Sequence, residues 1–204
     1  RAKGRLKGLD PEPTSAPTHE GIDFSAETFY SWAWGGGNQD QNREYSLTMH
    51  GTAIAMGGNT WLAAELATGA ITIDAHSELE FEFAQSVECE IHAIALLAAG
   101  STAGSNGEEY DDYTVWKISG TQSWTEAGVS NTYSYTGAGA TQTFTIPLAG
   151  AWDYDTPVTA IGFINDCDVN TDNDALFSHV TITSFAPTTA PTTIAPTVPP
   201  DLFV

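Results

Sequence analysis

The chain has 204 residues, with 26 Asp and Glu against 6 Lys and Arg and a formal net charge of −20. That length suits one domain plus tails, large enough to bury a core without extra staples. A body this negative repels phosphate backbones and anionic headgroups, which argues against nucleic-acid or membrane-surface binding and favours cations and basic segments as partners.

Residues 1–20 form an N-terminal tail. Arg1, Lys3, Arg5 and Lys7 supply four of the six basic side chains, and Asp-Pro-Glu-Pro-Thr-Ser-Ala-Pro-Thr follows. A start at Arg rather than Met is what a processed, secreted chain would show. The body, 21–185, opens with Tyr30, Trp32 and Trp34, whose alternation puts three aromatic rings on one face of a strand. Such rings stack on pyranose faces, so these three are candidate sugar-binding residues. The Ala-rich run Trp61 to Ala67 is the one helix candidate and is short for a helix. Ala70 to Ile73 reads as a strand. In Glu78-Leu-Glu-Phe-Glu-Phe83, apolar Leu79, Phe81 and Phe83 alternate with three carboxylates, predicting a strand with one face in a core. Ile91 to Ala99 is the longest apolar stretch and suits a buried strand; nothing approaches the roughly 18 residues that cross a bilayer.

Farther along, Glu108, Glu109, Asp111 and Asp112 read as a solvated acidic loop. Tyr113 to Ile118, Thr141 to Ile146, Val158 to Ile164 and Leu176 to Phe185 are further strands, and Trp124, in a loop, is the fourth candidate sugar-binding aromatic. Roughly a dozen short strands separated by Gly, Asn, Asp and Ser clusters predict an all-β fold, a two-sheet antiparallel β-sandwich of jelly-roll type. Residues 186–204 form a C-terminal tail in which ten of nineteen positions are Pro or Thr. Extended as polyproline II it would reach about 60 Å, and its Thr residues suit O-linked sugar. No Asn-x-Ser/Thr sequon occurs.

Two patterns carry chemistry. Asp166, Asp168, Asn170, Asp172 and Asp174 place an oxygen side chain at every second position, a spacing with which a loop can wrap Ca²⁺. Thr171 and Phe177 stand where an EF-hand needs its Gly and its bidentate Glu, so the expectation is a β-loop Ca²⁺ site or, alternatively, an acidic turn built of ordinary turn formers. Cys89 and Cys167 form a disulfide or remain two buried thiols; an oxidising compartment favours the bond. The outer pair of the carboxylate row Glu78, Glu80, Glu82 could converge to the spacing of a retaining glycosidase, although Glu80 stands where such enzymes carry Asp and the row suits the solvated face of an amphipathic strand. His92 and His179 read as packing residues.

Leu79-Glu-Phe-Glu-Phe83, Glu90-Ile-His-Ala-Ile94, Gly120-Thr-Gln-Ser-Trp124, Thr145-Ile-Pro-Leu148, Ile161-Gly-Phe-Ile-Asn-Asp166 and Phe177-Ser-His-Val-Thr-Ile182 together resemble a jelly-roll carbohydrate-binding-like module of secreted microbial and algal proteins. The resemblance covers about 61–185. It implies a non-catalytic sandwich, often with structural Ca²⁺, and its Asn165-Asp166-x-Asp168 stretch matches; Cys89 and Cys167 are local additions that suit a cross-link. The expectation is an extracellular, non-enzymatic module that binds a polysaccharide or other glycan. The alternative is a structural subunit of an extracellular fibre or surface layer. There the tail ending Asp201-Leu-Phe-Val204 would dock on a neighbour, and the basic head would dock on the next acidic body. A small jelly-roll glycoside hydrolase is the third reading.

Overall fold

A computed structural model describes residues 21–32, 44–98, 112–125, 127–168 and 174–183. Both tails, Trp34, Asn170, Asp172 and the 108–111 acidic loop lie outside them.

The described residues form eleven strands: β1 (Thr28–Ser31), β2 (Glu44–Thr48), β3 (Ala53–Gly57), β4 (Thr60–Glu65), β5 (Glu78–Gln85), β6 (Ile91–Ala98), β7 (Asp112–Ser119), β8 (Val129–Ser130), β9 (Gln142–Pro147), β10 (Ala160–Asp166) and β11 (Ala175–Thr183). They build a six-stranded sheet, β1-β4-β10-β6-β7-β8, and a five-stranded sheet, β2-β3-β11-β5-β9. All pairings are antiparallel except β7 with β8. The result is the expected two-sheet sandwich. Trp61 to Glu65 belongs to a strand rather than a helix, because its apolar side chains are buried on both faces of the sheet. Around Ala70 to Ile73 only an isolated bridge, Ile71 to Val158, forms instead of a strand.

The main core lies between the sheets. The alternation in β5 buries Leu79, Phe81 and Phe83, while Glu78 and Glu80 are exposed and Glu82 is half-buried. Phe177 on β11 is the hub: its ring lies 4.9 Å from Phe83, 5.2 Å from Phe163 and 6.3 Å from Phe81. β11 could not bury both Phe177 and Val180 by strict alternation, since three positions separate them. A bulge between Ser178 and Thr181 resets the phase, with His179 at φ +51°. His179 is thereby turned to solvent and bonds Glu82 at 2.9 Å, so it is not a packing residue. His92, by contrast, is fully buried in β6.

The six-stranded sheet is apolar on its outer face as well, which is why β4, β6 and β10 lack alternation. A floor of Ala63, Ala93, Ala95 and Ala160 carries Trp32, Trp61 and Trp124. The rings stand 5.9 Å (Trp32 to Trp61) and 5.6 Å (Trp61 to Trp124) apart. Gly162 makes room for this layer: a Cβ there would sit 2.7 Å from the Trp32 ring.

Candidate functional site

Trp32 and Trp124 are 1 % and 7 % exposed. They are therefore packing residues of the outer apolar layer rather than open stacking platforms, which corrects the expectation for both. Tyr30 is half-buried, and its hydroxyl donates to Glu65 Oε2 at 3.1 Å. The structure does not gather these aromatics into an exposed face, so the candidate site moves elsewhere.

Cys89 and Cys167 are disulfide-bonded, and both are buried. The bond joins the turn before β6 to the loop after β10, and its flanking residues bring carboxylates together. Glu90 follows Cys89; Asp166 and Asp168 bracket Cys167. One carboxylate oxygen from each of Glu90, Asp166 and Asp168 lies within 4.8 Å of the others. The Glu90 N–H donates to the Asp166 carbonyl at 2.9 Å, which holds the two segments in step. Asp168 is exposed, while Glu90 and Asp166 are half-buried. Asn59, 4 % exposed, abuts the cluster by donating from Nδ2 to Asp168 Oδ1 at 3.2 Å. The Oδ1 of the same buried amide has no hydrogen-bond partner among the described residues, and a buried acceptor left so is costly.

Two members of the expected loop, Asp166 and Asp168, thus lie together with a third carboxylate, Glu90, from a distant part of the chain. Asp174 takes a different course. It is fully buried, and its Oδ2 accepts from the Gly58 N–H at 3.1 Å and Asn165 Nδ2 at 3.5 Å. Its carboxylate lies beside the two sulfurs, in a separate group. A carboxylate at the start of a central strand must be hydrogen-bonded inward, so the every-other-residue spacing does not make one shell.

Burial, with Glu90 and Asp168 adding repulsion, pushes the Asp166 carboxyl up to about 6 from 3.8. In the absence of a divalent cation, the folded chain keeps this proton up to about pH 6, whereas the unfolded chain releases it near 3.8. Stability from this group is full at low pH and falls as pH rises through that window. His92 acts oppositely: burial lowers it to about 4 from 6.5, so its contribution is lost as pH falls through the same range. The difference between wild type and Asp166→Asn isolates the first effect. Denaturant midpoints in EDTA at pH 4 to 7 should show wild type losing ground to Asp166→Asn as pH rises; parallel curves would contradict the assignment.

Carboxylates plus an amide carbonyl are the donor set of a hard cation, which takes six to eight oxygens. Glu90, Asp166 and Asp168 fit part of such a shell, and Asn59 faces it through its Nδ2 donor. Next to this cluster runs a groove lined by Glu88, Lys117, Asn131, Tyr133 and Ser134. Lys117 Nζ donates to the carbonyls of Gly120 at 2.8 Å and Gln122 at 2.6 Å. Tyr133 is half-buried with its ring 6.4 Å from Phe144, and burial raises its hydroxyl pKa. The row Glu78, Glu80, Glu82 lies on the opposite sheet's outer face, where Glu82 bonds Ser178 and His179.

No protein-family model matches the chain, and no curated protein matches it. Among solved structures, the chain is similar to the family 11 carbohydrate-binding module of the cellulosomal cellulase Lic26A-Cel5E of Clostridium thermocellum. Identity is 12 %, the match spans 84 % of this chain and 97 % of that one, and the TM-score is 0.42.

Proposed function

We propose that this chain is an extracellular, non-catalytic glycan-binding sandwich whose binding end is organised by Ca²⁺ at Glu90, Asp166 and Asp168. The observation that carries this reading is the gathering of three carboxylate oxygens within 4.8 Å, beside a buried amide oxygen that lacks a partner among the described residues. Bound there, Ca²⁺ would offset the mutual repulsion of the carboxylates and leave coordination positions open to other oxygens, water or sugar hydroxyls. Glu90 and Asp166 are fixed by backbone pairing, and Asp168 is oriented by Asn59, so the donor set is held by the chain itself. The disulfide supports an oxidising location, where weak extracellular-type Ca²⁺ sites also operate.

The test is affinity electrophoresis through gels containing single polysaccharides, run in CaCl₂ and in EDTA. Retardation by at least one polymer, lost in EDTA and restored by added Ca²⁺, is the expected result. Absence of retardation by every polymer tried, or retardation indifferent to EDTA, would sink the reading. A tail-built fibre is the second reading. Gly21, the first described residue, pairs with Thr181, two residues before the end of the last described segment. Filaments from the full chain without any glycan would favour that reading.

A further inference from the structure

The groove beside the cation cluster is built against it. The Gln122 N–H donates to the Glu90 carbonyl at 2.9 Å, and the Thr121 N–H donates to the Cys89 carbonyl at 3.1 Å. Gly120, at φ +119°, comes so close that a Cβ would sit 2.2 Å from the Glu90 carbonyl oxygen. The same loop binds the Lys117 ammonium through the Gly120 and Gln122 carbonyls. A line of direct contacts therefore runs from Glu90 to Lys117, and Glu88 stands two residues from the cluster.

The groove holds polar groups that the fold leaves unspent. Lys117 is the one Lys or Arg among the described residues. In a chain of 26 carboxylates it bonds two backbone carbonyls and no carboxylate among the described residues, leaving one N–H of its three. The Tyr133 hydroxyl makes no hydrogen bond among the described residues, although its ring is anchored on Phe144. Asn131 is tied down through Nδ2, which donates to the Trp124 carbonyl at 2.6 Å, and its Oδ1 is left as an acceptor. Glu88 adds an exposed carboxylate. These groups include donors and acceptors around the edge of one half-buried ring, and Lys117, Asn131 and Tyr133 are already fixed by other contacts. Sugar hydroxyls both donate and accept, so this mixture suits them. Glu88 and the negative body oppose a ligand of the same sign.

We propose that this groove is a subsite for a neutral, hydroxyl-rich sugar residue, placed so that one glycan chain spans both the groove and the cation cluster. It rests on the glycan-binding reading and adds a second contact and a ligand class. The test uses the full chain with Tyr133→Phe and Glu88→Gln, which remove one hydroxyl or one charge and keep the packing. Affinity is measured for laminarin, arabinoxylan and galactomannan as neutral polymers and for alginate as an acidic one. Terbium luminescence follows the cation cluster, and melting temperature reports the fold. Each variant should bind its best neutral polymer about three- to tenfold more weakly, the range of one hydrogen bond lost in Tyr133→Phe or stripped of its charge assistance in Glu88→Gln, with terbium binding and melting unchanged. Calcium-dependent binding untouched by both variants would overturn the groove and leave the cluster standing. Weakened binding in the variants, together with indifference to EDTA, would support the groove and remove the cluster's role. Preference for alginate, or no binding to any polymer, would overturn the proposal.

Discussion

Cys89→Ala with Cys167→Ala should lower the melting temperature by about 8–16 °C. The bond spans a sequence separation of 78, and on the chain-entropy treatment closing such a loop is worth about 4 kcal/mol. Each kcal/mol shifts the melting point of a domain this size by about 2–4 °C. Both sulfurs are buried, so alanine leaves a small void in addition to freeing the unfolded chain. Local effects concentrate where the bond sits, at the turn before β6 and the loop after β10. The double variant should therefore also bind terbium less tightly, because Asp168 loses the covalent anchor of its neighbour. A drop under about 2 °C, read by differential scanning calorimetry, would mean that backbone pairing alone fixes these segments.

Phe177→Ala should cost about 3–5 kcal/mol, the range for removing a fully buried aromatic. The ring touches Phe81 and Phe83 on its own sheet and Phe163 on the facing one, so its loss opens a void that neither sheet can close alone. Thr145→Ala, on the exposed outer face of β9, should stay within about 0.5 kcal/mol. Urea midpoints of the two variants decide the matter: similar midpoints would contradict the placing of the core between the sheets.

What the residues reveal by themselves divides along a physical line. Patterns settled by near neighbours were legible. Glu78 to Phe83 alternates because one face of β5 is wet, and the run from Ile91, apolar apart from His92, lacks alternation because β6 is covered on both faces. With two cysteines only one pairing exists, and it forms. Properties set by distant chain segments were not legible. The alternation of Tyr30 and Trp32 says nothing about what lies over the rings, and the alanine floor that seats Trp32 comes from β4, β6 and β10. The spacing of Asp166 to Asp174 assumes one uniform loop. The buried start of β11 turns Asp174 inward, and Glu90 arrives through a strand pairing that no local motif announces. His179 looked like a packing residue because the phase shift that exposes it depends on a bulge. Lys117, Asn131 and Tyr133 meet only because the segment after β8 returns along β7, where the Tyr135 N–H reaches the Ile118 carbonyl at 2.8 Å.

Glu90 is the cluster member contributed by a remote segment. Thermal melting of wild type and Glu90→Gln, each in EDTA and in about 10 mM CaCl₂, tests the proposed Ca²⁺ site most directly. A dissociation constant of about 10⁻⁴ M, as in extracellular Ca²⁺ modules, gives about 2.7 kcal/mol at a hundredfold excess. Wild type should therefore melt about 5–10 °C higher with Ca²⁺, and Glu90→Gln should lose most of that gain. An identical melting point for wild type with and without Ca²⁺, or a full gain retained by Glu90→Gln, would contradict the account.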